Sequence, residues 1–112
     1  MTVKRIIYSR GFPYGAPLCT IRGGATKDEA VRNFLKSERF TWNPARHGWE
    51  HYLNRREFGA ILKRLRDEFG CEVIPKQGMD WAYVIDLDDP DFSTPEPDVI
   101  HYDGVEHKRV IV

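Results

Sequence analysis

The sequence predicts an α+β domain: a mainly antiparallel sheet with two helices on one face, in the order ββαββαββ, ending in a C-terminal hairpin. Two observations lead there. Two stretches carry apolar stripes of helical period behind capping residues, and the stretches around them alternate apolar and polar residues between turn signals. A chain of 112 residues suits one domain with a modest core.

The elements follow in order. "VKRIIYSRGF" reads as a strand ended by the turn-rich "GFPYGAP", and "PLCTIRG" is a second strand closing at Gly23-Gly24. Thr26 and Glu29 are spaced as a capping box, opening a helix over about residues 26 to 37 whose stripe is Ala30, Val31, Phe34 and Leu35. Phe40 and Trp42 then alternate toward one face, Asn43-Pro44 breaks the strand, and "WEHYL" resumes it, which makes a β-hairpin with the loop "NPARHG". Trp42 and Trp49 are both expected to pack under the sheet.

Asn54 and Glu57 have the same capping spacing before "NRREFGAILKRLRDEFG". Phe58, Ile61, Leu62, Leu65 and Phe69 fall within an arc of about 100° at helical period, and Gly70 is placed to end the helix. "CEVIP" is a strand, and "WAYVIDL" alternates Trp81, Tyr83, Ile85 and Leu87 as another. "DDPDFSTPEPD" has three prolines and five acids, the composition of an exposed loop, and "VIHYDGVEHKRVIV" reads as a hairpin turning at Asp103-Gly104. The expected division is a basic α+β core over residues 1–87 and, packed on the same domain, an acidic loop plus hairpin over 88–112.

Formal net charge is zero, but it is unevenly distributed. Residues 1–79 hold 15 Lys and Arg against 8 Asp and Glu, and residues 80–112 hold 2 against 9. A basic body with an acidic tail points to a polyanion partner, an internal mimic of one, or mutual neutralisation in the fold.

Several chemistries lack their residues. His47 and His51 are four apart but straddle a turn, no CxxC occurs, and Cys19 and Cys71 read as buried free thiols, so neither metal nor cofactor is expected. No GxSxG or Walker loop occurs, and no active site is expected. Gly23-Gly24 before a helix start could place Arg22 and Lys27 beside a phosphate, or could be a plain turn. No apolar run approaches the roughly 20 residues of a membrane span, and "MTVKRIIYSRGF" carries no apolar signal segment. The expected location is cytoplasmic.

The basic residues cluster. Arg46 and His47 on the hairpin loop, with Arg55, Arg56, Lys63, Arg64 and Arg66 on the second helix, lie in one stretch rich in arginine, whose planar fork suits phosphate. A solvated helix face is the plain alternative.

Residues 27–65, "KDEAVRNFLKSERFTWNPARHGWEHYLNRREFGAILKRL", resemble the HARP domain of annealing helicases and small two-tryptophan modules of phage and mobile-element proteins. The shared pattern is a helix, an aromatic strand, a polar turn with a basic residue, a Trp strand and a helix. The resemblance implies binding of single-stranded or structured DNA without catalysis. No helicase domain accompanies the module, and the acidic C-terminal third has no counterpart in the pattern. Such an extension suits a phage or mobile-element inhibitor that binds a host nucleic-acid enzyme, with Asp86, Asp88, Asp89 and Asp91 imitating phosphates.

Overall fold

The computed structural model describes residues 4–11, 18–79 and 84–88 in full, and the backbone of 99–102 and 105–108. Strands β1 (Arg5–Gly11) and β2 (Leu18–Arg22) lead through a 3-10 turn (Gly24–Lys27) to helix α1 (Glu29–Ser37). Strands β3 (Thr41–Asn43) and β4 (Gly48–Tyr52) form the expected hairpin, followed by helix α2 (Arg55–Asp67) and strand β5 (Glu72–Pro75). Strands β6 (Val99–Tyr102) and β7 (Val105–Lys108) pair as a separate two-stranded sheet. The main sheet runs β3-β4-β2-β1-β5, antiparallel except for the β1–β5 pair.

Period two decides which side of this sheet is dry. Ile6 and Tyr8 of β1, Cys19 and Ile21 of β2 and Trp49 of β4 point to one side, where they join one core with Val31, Phe34 and Leu35 of α1 and Phe58, Ile61, Leu62 and Leu65 of α2. Both helices therefore cover the same face, and among the described residues the other face carries no helix.

Several local expectations are corrected. Thr26 does not cap α1, because its hydroxyl donates to Gly23 O within the 3-10 turn. Asp28 caps instead, accepting from the Ala30 and Val31 amides. The strand expected over "WAYVIDL" is absent from its described part, since residues 84–88 form no strand. Trp81 and Tyr83 lie outside the described residues. So do the hairpin turn at Asp103-Gly104 and, apart from Asp88 and the backbone of β6 and β7, the whole 88–112 unit.

Other expectations hold. Asn54 caps α2 by accepting from the Glu57 amide, and Gly70 sits beyond its end at φ 68°. Cys19 and Cys71 are free and buried. Burial is the main cause that pushes the Cys19 thiol up to about 11, outweighing the lowering effect of Arg10 beside it.

A phenol helps to tie residues 84–88 to the core. Tyr8 Oη accepts from the Ile85 amide at 3.0 Å and donates to the Ile85 carbonyl at 3.4 Å, while the Ile85 side chain joins the core. Burial raises the Tyr8 pKa, so the phenol keeps its proton at neutral pH. Tyr8→Phe keeps the ring against Phe58 but leaves two backbone groups without this partner. The expected loss is about 1–3 kcal/mol in urea denaturation, with earlier hydrogen exchange at residues 84–88. An unchanged midpoint would show that these residues are held by other contacts.

Candidate nucleic-acid interface

The hairpin loop is built around Asn43. Its Oδ1 accepts from the Ala45 and Arg46 amides, which closes the turn, and its Nδ2 donates to Glu50 Oε1 at 2.9 Å. Arg46 reaches back over β4, with Nη2 3.1 Å from Glu50 Oε1 and Nε 2.9 Å from Oε2. The Glu50 side chain is only 10% exposed, so this ion pair, with its one hydrogen bond from Nη2 to Oε1, holds the guanidinium against the sheet. His47 is exposed at the tip, in the left-handed region at φ 50°.

Glu50 belongs to the helix-free face, and so does Arg46. That face reads in cross-strand rows. Ile74, Ile7 and Arg22 pair across β5, β1 and β2, and Arg22 lies over Gly48. A Cβ at residue 48 would come within 2.9 Å of Thr20 Cγ2 and 3.0 Å of Arg22 Nε, so a side chain there would push the Thr20 and Arg22 side chains aside. The next row is Ser9, Thr20, Glu50 and Thr41, and the third is Gly11, Leu18 and Tyr52.

Two concavities mark this surface. A cleft of about 330 Å³ lies between Arg46 on one wall and the Lys76–Met79 turn on the other, with Ser9, Leu18 and Thr20 among its lining residues. A hollow of about 150 Å³ is lined by Arg39, Thr41, Leu18, Glu50, His51 and Tyr52, and the Tyr52 side chain is 58% exposed. Among the described residues, no ion pair engages Arg22, Arg39 or Lys76.

The second helix presents its cations differently. Arg64 is paired with Glu38 of the α1 end and with Glu68, and its guanidinium lies 4.7 Å from the Phe34 ring centre. Arg66 is paired with Asp67 and with Asp88, and Arg55 donates to the Val84 carbonyl at 2.8 Å. A hydrogen bond to Glu68 is the main cause that raises the Arg64 pKa, and one to Asp67 does the same for Arg66, so both stay charged. Arg56 and Lys63 alone stand on the outer crest without an ion pair among the described residues.

The nine basic residues singled out by sequence therefore do not form one surface. Arg22 and Arg46 lie on the helix-free face and His47 lies at the loop tip. Arg55, Arg66 and Arg64 hold neighbouring segments to α2, Arg56 and Lys63 mark its crest, and Lys27 sits exposed on the 3-10 turn. Of the acids, Asp86 and Asp88 are exposed and share a turn in which the Asp88 amide donates to Asp86 Oδ1. Asp89 and Asp91 lie outside the described residues.

Sequence reasoning missed Arg39, Lys76 and Tyr52. The outward half of the period-two alternation was a usable signal for Ser9, Thr20 and Tyr52. Arg39 and Lys76 sit on connections, where no periodicity marks a face.

Trp42 corrects the expectation that both tryptophans are buried. Trp49 is 7% exposed, whereas Trp42 is 47% exposed and lies against it at 5.7 Å on the edge strand. Among the described residues, no group of three or more His, Cys, Asp or Glu could hold a metal ion, and no helix is long and apolar enough to cross a membrane. No family model, curated protein or solved structure matches the chain.

Proposed function

We propose that this protein binds nucleic acid without catalysing a reaction, taking a single-stranded or structured strand on the helix-free face of its sheet. One observation carries the reading: acids occupy Arg64 and Arg66, leaving Arg56 and Lys63 as the unpaired cations of α2, while Arg22, Arg39 and Lys76 on or beside the helix-free face have no ion-pair partner among the described residues. Phosphates gain most from cations that need not first leave an acid. Tyr52 adds an exposed ring on which a base could stack, next to the Arg39 fork. The stretch that resembles a HARP module supplies Arg39, Arg46 and Tyr52 to this surface.

Asp88 lies against Arg66, which favours neutralisation within the chain over an acidic decoy for a host protein.

The test compares two double variants by fluorescence anisotropy with a single-stranded DNA across a salt series. Arg39→Ala with Lys76→Ala is expected to weaken binding and to flatten the salt slope by about 0.7 log units per lost contact. Arg56→Ala with Lys63→Ala is expected to leave affinity and slope unchanged. The opposite pattern would return the interface to α2, and no binding by the unaltered protein would end the nucleic-acid reading.

A further inference from the structure

We infer that the cleft between Arg46 and the Lys76–Met79 turn is a nucleotide subsite that takes one nucleoside monophosphate unit. The inference rests on the nucleic-acid reading only for the source of that unit, which is either a residue of a bound strand or a free mononucleotide.

Both walls are fixed by hydrogen bonds before a ligand arrives. Arg46 donates through Nη2 to Oε1 of the nearly buried Glu50, which Asn43 also holds, and its Nε lies 2.9 Å from Glu50 Oε2 as an ion pair. Its Nη1 is not used by that pair. Opposite, the Lys76 amide donates to Tyr8 O at 2.8 Å and the Met79 amide to Lys76 O at 3.1 Å, with Gly78 at φ 84° completing the turn. A site whose walls are already ordered gives up little conformational entropy on binding.

The lining has three chemistries, and a nucleotide uses all of them. Lys76 offers a cation and Arg46 its remaining N–H donors to a phosphate, and Ser9 offers a hydroxyl to phosphate or ribose, while Thr20 is only 6% exposed on the floor. Leu18 and Met79 offer apolar surface to a base, while the Gln77 amide can both donate to and accept from its edge. The volume of about 330 Å³ lies at the small end of ligand pockets, enough for one unit. Inorganic phosphate would leave the apolar wall unused, and a nucleoside would leave the cations unused. Glu50 does not repel the phosphate as a free carboxylate would, because Arg46 neutralises it at contact distance.

The experiment is calorimetric titration of the full chain with adenosine 5′-monophosphate, uridine 5′-monophosphate, adenosine, inorganic phosphate and a short single-stranded DNA. It is repeated on Ser9→Ala and Gln77→Ala, which alter no charge. A monophosphate is expected to bind more tightly than either adenosine or phosphate, and each variant to weaken it by about three- to tenfold, the worth of one hydrogen bond. Competition between monophosphate and DNA would identify the source as a strand, and monophosphate binding without competition would identify a free nucleotide. Phosphate binding as tightly as the monophosphates would overturn the inference, leaving only an anion hollow. DNA binding that depends on Arg39 and Lys76 but not on Ser9 or Gln77, with no monophosphate bound, would also overturn it while the sheet-face reading stands. Monophosphate binding with no DNA binding would reverse that outcome: the subsite stands and the sheet-face reading fails.

Discussion

Trp49→Ala is expected to destabilise the fold by about 3–5 kcal/mol, and Trp42→Ala by only about 1 kcal/mol. The two residues pair directly across β3 and β4, yet their surroundings differ. Trp49 is 7% exposed and has β2 beyond it, where Ile21 is its register partner and is fully buried. Removing its indole opens a cavity whose walls come from the sheet and cannot close freely. Trp42 is 47% exposed on the edge strand, so most of what its deletion removes is the tilted contact with Trp49. A domain of this size commonly has 5–15 kcal/mol in hand, so Trp49→Ala consumes a large part of its stability. Urea denaturation followed by far-ultraviolet circular dichroism measures both. Equal losses would mean that Trp42 is held by contacts its exposure does not reveal.

Gly23→Ala is expected to cost about 3 kcal/mol or more, while Gly24→Ala stays within about 0.5 kcal/mol of the unaltered protein. Gly23 adopts φ 114° and ψ 171°, a region essentially closed to side chains. A Cβ there would lie 2.3 Å from the Arg5 carbonyl oxygen, which is backbone of β1 and cannot swing aside. A Cβ on Gly24 would meet nothing within 4 Å. Gly23 alone of the pair thus serves the close passage of the chain over β1. A severe loss for Gly24→Ala together with a mild one for Gly23→Ala, read by the same denaturation, would contradict this account of the turn.

The parts of this fold that were legible in the sequence are those that local physics fixes. The α2 stripe, the Asn54 cap and the two-tryptophan hairpin each follow from spacing within about a dozen residues. The misplaced cap of α1 is also a local matter: Asp28 and Thr26 are both capping residues two positions apart, and the glycines before them allowed a 3-10 turn to come first. Alternation shows that Trp42 and Trp49 share a side of the sheet, but it does not say that β3 is the edge. Strand order is a long-range property.

The candidate site was hidden for the same reason. Clustered arginines on α2 are visible in the sequence, and so are the local acids Glu68 and Asp67 that pair with Arg64 and Arg66. Each of these two arginines also takes a second acid from elsewhere, however, Glu38 lying 26 residues before Arg64 and Asp88 lying 22 after Arg66. Only the folded chain separates cations that hold the structure together from cations that face outward without an acid. Arg22 and Arg46 were found by sequence, and the partnership of Arg46 with Glu50 four residues on was within reach.

The central claim is that the helix-free face, and not the outer face of α2, receives the nucleic acid. Mapping amide chemical shifts of the full chain during titration with a short single-stranded DNA tests it most directly. The account predicts that shifts concentrate at Ser9, Thr20, Tyr52, the 44–47 loop and the 76–79 turn, with residues 56, 60, 63 and 67 of α2 unmoved. Shifts confined to that outer line of α2, with the sheet face silent, would contradict it.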